Sequence, residues 1–566
     1  MKNLKRKSLM VASLAGVLAA STLLTSCGTA NRESYENEEG ETIYTYYFNM
    51  YTQDDTEYAE GQDTVFANLL RDKFNVEFEY ERIPRGDWET KTNLAYATGN
   101  EADVTTGGKE PQYKRWANEG YLEAIPEEYY TGDDAILSDW AALWTPEEFD
   151  KVLELAKSPD GNLYYLPSKR QEKVQMCWLY RQDVFEQLGL ELPETIDDLY
   201  DVCVRLKQAY PDKIIISSNG QKLSSLTGFF QAYWIPELIM TEHSYVDPVT
   251  GEYVPYALTT DNAREMYKTI KKFSDAGLID REILTMDQDT FSTRLAQDNC
   301  FITYNYVYNT EDFTNKTNGT NPSKGGIWAW SGNMITEFPE KGTIYKRDPL
   351  YSNWGPAFSV GISDNPERYE ALLETFNWFA TDEGQTFMTY GVEGDSFEYD
   401  ENGVPHILDG WYDESDPNSD KDDPNTKNFQ TEYGSLSSQF AKEENMFNAI
   451  RGNVIEELWA AYQAHDNYYY FEQIPMRYTE DEQTRYSDLE VALNSKRNEY
   501  MQRFFAGDVD PNDDADWNQY ISDMKKVGLD EFCELQTTVY ERTQAEIADE
   551  DAENSSEAQT DTAAAE

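Results

Sequence analysis

The sequence predicts an α/β protein built as two similar lobes. Strand and helix signatures alternate from about residue 42 onward, and the helical stretches carry one-sided apolar faces with cap residues at their starts. The 566 residues also exceed what one core organises, and roughly 150 residues per domain asks for two to four.

The elements follow in order. Thr42 to Tyr51 (TIYTYYFNMY) is β-branched and aromatic, a strand. Asp63 to Phe74 sets Val65, Phe66, Leu69 and Leu70 along one helical stripe. Asn75 to Ile83 alternates through Val76, Phe78, Tyr80 and Ile83, a second strand. A helix over Trp88 to Ala97 follows, and Asp103-Val104 opens a short strand. This βαβαβ order argues for a parallel sheet with crossover helices. Further on, Thr195 and Asp198 form a capping box for a helix whose apolar face is Ile196, Leu199, Val202, Cys203 and Leu206. Lys213 to Ser217 (KIIIS) reads as a buried strand. Thr260 or Asp261 caps a helix that turns Ala263, Met266, Tyr267, Ile270 and Phe273 inward, with Gly277 past its end.

Composition excludes several function classes. Lys+Arg is 47 against Asp+Glu 106, a net charge of −59. Such a chain repels nucleic acid and anionic lipid surfaces, which bind through clustered cations. Aromatics make up 14 % of the residues, so the acidity does not signal disorder. Cys177, Cys203, Cys300 and Cys533 are far apart and form no C-x-x-C pair, so they read as small buried hydrophobes.

The N-terminus reads as a secretory signal over residues 1–26. Lys2, Lys5, Arg6 and Lys7 precede an apolar run from about Leu9 to Leu24. Leu24-Thr25-Ser26-Cys27-Gly28 resembles a bacterial lipobox, which implies cleavage before Cys27 and its lipidation. The two acyl chains of a diacylglycerol suffice for stable anchoring. An ordinary signal peptide with an incidental cysteine is the alternative. Residues 27–40 are polar and acidic and read as a flexible tether; residues 543–566 read as a disordered acidic tail.

Catalytic motifs are missing. His243, His406 and His465 are isolated, and no nucleophile elbow, P-loop or dinucleotide fingerprint occurs. No cofactor is expected. With 106 acids, a carboxylate pair of glycosidase spacing stays open as an alternative. Asp416, Asn418 and Asp420, continued by Asp422, alternate as calcium ligands do, but Lys421 stands where an EF-hand needs glycine and Lys427 where it needs glutamate. Asp508, Asp510, Asn512, Asp514 and Asp516 have the same defect, so both stretches read as solvated acidic loops. What remains is loop tryptophan and tyrosine, whose faces stack on sugar C–H faces while acids and amides take the hydroxyl protons.

Several stretches together resemble family 1 of the extracellular solute-binding proteins, the lipoprotein receptors of carbohydrate ABC importers. Leu69-Leu70-Arg71-Asp72-Lys73-Phe74-Asn75-Val76 is similar to the family's first helix and second strand. Asn93 to Asn100 with Ala102-Asp103-Val104 is similar to its ASGD-x-PD-I segment, with Ala102 in place of proline. Asp160-Gly161-Asn162-Leu163-Tyr164-Tyr165-Leu166-Pro167 resembles DGK-x-Y-x-x-P, and Tyr180-Arg181-Gln182-Asp183 with Leu188-Gly189-Leu190 and Pro193-Glu194-Thr195 resembles YRKD, LGL and P-x-T. The most specific stretch is Phe376 to Gln385 with Tyr390-Gly391-Val392-Glu393-Gly394. Phe504 to Gly507, Trp517, Tyr520 and Val527 to Asp530 agree at the end. The nearest subgroup is the long Gram-positive one, LipO-like and alginate-oligosaccharide-binding-like.

The resemblance implies a periplasmic-binding-protein-like fold, two α/β lobes with a hinge and an interlobe ligand cleft. Lobe one is expected over 41–165 with 300–362 and lobe two over 166–299 with 363–542. It also implies a monomer on the outer face of a Gram-positive membrane, held by lipid alone, that delivers an oligosaccharide to ABC permease subunits without acting on it. Tyr165, Trp234, Tyr304, Trp328 and Trp354 are the expected stacking platforms, and Glu393 and Asp103 the expected hydroxyl acceptors. The net charge favours a neutral glycan. A surface glycosidase or lyase, and a receptor for peptides or another solute, are the alternatives.

Overall fold

The computed structural model describes residues 32–36, 42–53, 64–84, 87–132, 134–169, 173, 175–218, 226–235, 244–319, 322–345, 350–352, 354–401, 403–412, 426–428, 432–434, 454–465, 468–471 and 474–564. Strand β2 (Thr42–Gln53) runs parallel to β3 (Val76–Ile83) on one edge and to β4 (Val104–Lys109) on the other. Helices α1 (Val65–Phe74) and α2 (Trp88–Thr98) make the two crossovers. Thr64 caps α1 by accepting from the Ala67 amide, and Asn75 ends it in a left-handed conformation at φ 55°. The alternation read from the sequence therefore gives the expected parallel sheet.

Strand β1 (Arg32–Glu36) pairs antiparallel with the first residues of β2, Tyr35 against Ile43. Of the stretch 27–40 read as a tether, residues 32–36 are described, and they form this strand. Strand β4 occupies only Met50 to Thr52 of that edge, and the open backbone groups before it take up β1. Helix α3 (Glu110–Asn118) leaves the end of β4, and α4 (Pro146–Ala156) starts from a capping box of Thr145 and Glu148.

The chain then crosses through β5 (Ser168–Lys169) into the second lobe. There β6 (Met176–Arg181) is flanked by antiparallel β7 (Ile302–Tyr306) and β8 (Trp328–Trp330). Helix α5 (Ile196–Ala209) has the Thr195–Asp198 capping box and buries the five face residues expected of it. Helix α6 (Asp261–Asp275), capped by Thr260, likewise buries all five of its expected residues. The KIIIS stretch forms parallel bridges only at Ile216, to Ile279 and Ile302.

The return crossing, β9 (Tyr351–Ser352), lies antiparallel to β5. Strand β10 (Trp354–Phe358) then closes the first sheet against β4. Helices α7 (Pro366–Trp378) and α8 (Asp382–Tyr390) add Leu372, Phe376 and Phe387 to the first core, and Phe379 between them joins it. Later, α9 (Val454–Gln463), α10 (Glu480–Ala506), α11 (Asp514–Lys526) and α12 (Leu529–Ala564) join the second lobe.

Two boundary expectations change. Residues 302–330 belong with lobe two, because β7 and β8 fill both edges of β6. Residues 366–390 belong with lobe one, because α7 and α8 pack on its sheet. The tail also differs: α12 is helical to Ala564, since its Ala-, Glu- and Gln-rich sequence holds no glycine or proline. Thr543 is fully buried there. Among the described residues no helix is long and apolar enough to cross a membrane.

Candidate functional site at the hinge

The two crossings lie side by side, Tyr351 opposite Lys169 and Ser352 opposite Ser168. Two residues later Trp354 pairs with Lys109, the last residue of β4, so the carboxyl edge of the first sheet abuts the hinge. In lobe two, Met176 at the start of β6 pairs with Tyr306 at the end of β7. The Val307 amide bonds the Gln175 carbonyl, and the Ser331 amide bonds that of Trp178, which brings the end of β8 to the same side. Both sheets thus turn carboxyl ends toward one hinge, the edge where open α/β sheets bind ligands.

On the lobe-one rim Trp354 is half-buried, with the Lys109 ammonium 5.9 Å from its ring centroid. Glycines shape this rim. A Cβ at Gly107, which sits at φ +115°, would lie 2.6 Å from the Gln53 Cβ; one at Gly108 would lie 2.5 Å from the Tyr113 ring. On the lobe-two rim the rings of Tyr306 and Tyr308 stack with centroids 5.1 Å apart and planes 17° apart. Tyr306, Tyr308, Trp330 and Trp459 are all half-buried. Lys173 in the outgoing crossing is ion-paired with Glu456 of α9.

The expected site residues separate into rim and core. Trp354 is at the rim. Tyr165 is 1 % exposed and packs in the lobe-one core, its phenol donating to Glu110 Oε2 at 3.1 Å. Burial, reinforced by the Glu110 charge, holds that phenol well above its ordinary range, so it stays a donor. Tyr304 lies in the lobe-two core and donates to Gln231 Oε1. Trp328 is buried against Phe313, its indole N–H donating to Thr317 Oγ1 at 2.9 Å. Trp234 is buried at φ 56°, with the Lys341 ammonium 5.5 Å from its ring centroid and no hydrogen-bond partner for its indole nitrogen among the described residues. These four faces are covered, so the structure does not offer them as platforms. Asp103 is bound by Arg368 at 3.0 Å and by the Asn49 amide at 2.9 Å, which engages its carboxylate inside lobe one. Glu393 is exposed, and its backbone bridges to Phe397. Tyr306 and Trp330, loop aromatics that the sequence offered beside Tyr304 and Trp328 but that were not chosen as platforms, stand one strand repeat further on.

Burial raises the carboxyl of Glu490 on α10, which accepts from Asn494 and lies near Arg115. His465 pairs with the Gly332 carbonyl at 2.9 Å, and His406 lies 3.5 Å from Asp400. His243 lies outside the described residues, as do Cys27, residues 1–26, Asp416, Asn418 and Asp420. In the second acidic loop Asp510 accepts from Asn512, Asp513 caps α11, and Asp514 pairs with Arg264, so these carboxylates close the loop. No cluster of three metal-ligating side chains occurs among the described residues.

Residues 59–276 match the family model of bacterial extracellular solute-binding protein. Over these residues, somewhat under half of the chain, the sequence is similar to that family. The fructooligosaccharide ABC transporter substrate-binding protein FusA of Streptococcus pneumoniae is 24 % identical over 505 residues, 81 % of this chain and 84 % of its own. Lipoprotein LipO of Bacillus subtilis is 23 % identical over 218 residues, 36 % of this chain and 39 % of its own. Among solved structures, the alginate-binding protein AlgQ2, crystallised without calcium ion, superposes with a TM-score of 0.68 at 16 % identity, covering 88 % of this chain and 98 % of its own. The fold is that of two-lobed solute-binding proteins.

Proposed function

We propose that this solute-binding protein is a lipid-anchored receptor outside the cell that captures an oligosaccharide between its lobes and hands it to the permease of an ABC importer. The observation that carries the reading is the paired crossing of β5 and β9, which brings the carboxyl ends of both sheets to one hinge. A ligand touching both rims favours the closed arrangement, so binding shifts a hinge equilibrium. Trp354 on one side, and Tyr306, Tyr308 and Trp330 on the other, supply stacking faces for sugar rings. The names of FusA and AlgQ2 point to oligosaccharides. Cleavage before Cys27 and its lipidation hold the receptor near its permease, which raises effective concentration. The sugar leaves unaltered, and the protein works as a monomer.

Calorimetric titration of residues 28–566 with fructooligosaccharides, uronic acid oligomers and neutral glucans, with peptides as controls, tests this. The expected result is saturable binding to one sugar class and chromatographic recovery of intact sugar. Shortened sugar would establish an enzyme instead, and binding confined to peptides would establish a receptor for another solute.

A further inference from the structure

Both crossings are fastened to lobe one by buried side chains that meet on one carboxylate. Tyr165, just ahead of β5, donates its phenol to Glu110 Oε2 at 3.1 Å, and Tyr351, in β9, donates to the same oxygen at 2.9 Å. Lys114 holds the other oxygen at 2.7 Å. Neither phenol is more than 1 % exposed. The backbone of the crossings is gripped as well. The Trp140 indole donates to the Pro167 carbonyl at 2.9 Å, the Trp144 indole to the Leu350 carbonyl at 3.2 Å, and the Tyr113 hydroxyl to the Gly355 carbonyl at 2.7 Å. Every one of these groups belongs to lobe one. On the lobe-two side the crossing is tied by the Lys173–Glu456 pair, whose side chains keep 19 % and 34 % of their surface exposed.

We propose that Glu110 is the positioning residue of the hinge: by holding Tyr165 and Tyr351 on one oxygen it makes the β5–β9 pair part of lobe one, so that the pair stays with lobe one when lobe two rotates. A carboxylate accepting two buried phenols and an ammonium is a strong, directional tie, because charge-assisted hydrogen bonds are short and stiff. Glu110 follows Lys109, and Trp354 lies two residues past Ser352, so the same tie carries the lobe-one rim as one body. This deepens the receptor reading by naming what sets its moving parts.

The test uses no sugar, so failure of sugar binding and failure of this inference are separate results. The chain carries Cys27→Ala and Cys533→Ser; Cys177, Cys203 and Cys300 are buried and stay unlabelled. Spin labels at Leu94→Cys and Val249→Cys, 63 % and 52 % exposed, report the distance between lobes. Labels at Leu94→Cys and Val360→Cys report within lobe one. Tyr351→Phe and Glu110→Gln are each expected to broaden the interlobe distance distribution about twofold while leaving the within-lobe distribution unchanged. Unaltered interlobe distributions in a folded variant would overturn the proposal. If Glu110→Gln does not fold, Tyr351→Phe, which leaves the Tyr165 and Lys114 bonds in place, decides alone.

Discussion

The hinge, fastened within lobe one, and the helix seam between the lobes differ in construction. At the hinge, uncharged phenols and indoles converge in the interior on Glu110 and on main-chain carbonyls. At the helix seam the contacts of lobe two with α3 and α4 of lobe one include polar tips: Asn118 donates to Thr484 of α10 at 2.6 Å, and Arg477, just ahead of α10, pairs with Glu154 at 2.9 Å with about a third of each side chain exposed. Water competes for the second set and not for the first. Buried charge-assisted bonds are costly to leave half-made, whereas exposed pairs contribute little. The hinge is built to persist through motion and the helix seam to part.

The largest way to break this contrast is Gly355→Ala. Its Cβ would stand 1.8 Å from the Leu166 carbonyl oxygen, so the crossing backbone must move; a loss of about 3 kcal/mol in chemical denaturation is expected. Tyr351→Phe removes one bond to a buried carboxylate and should cost about 2 kcal/mol by the same measurement. Trp354→Ala should leave stability nearly intact while weakening sugar binding about tenfold, about 1.4 kcal/mol, in calorimetry.

Acid sharpens the contrast at the helix seam. Glu482, two residues before Thr484 and paired inside lobe two, is held down to about 2 from an ordinary 4.5, first by Arg542 and further by the Thr479 amide. A carboxyl lowered by folding stabilises fully above its unfolded value, and that contribution fades as pH falls from about 4.5 toward about 2. Glu482→Gln should flatten this limb of an acid denaturation series. The smallest effect belongs to Thr484→Ala, within about 0.5 kcal/mol.

The fold was legible where local rules suffice. Helices α5 and α6 bury the residues that a 3.6 period assigns, from the caps that side-chain chemistry assigns. The rim was less legible, because depth along a strand is a tertiary property. Tyr304 and Tyr306 share one face of β7, yet the first lies in the core and the second reaches the hinge. Trp328 and Trp330 repeat this in β8. Tyr165 carried a family motif but serves the interior, since its phenol meets Glu110 from α3, a partner 55 residues away. The lobe boundaries failed for a similar reason: strand pairing decides them, and pairing partners are distant in sequence.

Small-angle scattering of the protein, alone and with the oligosaccharide identified by titration, tests the central claim most directly. The account predicts a smaller radius of gyration with sugar present, and the same sugar recovered intact. An unchanged radius at saturation, or a shortened sugar, would contradict it.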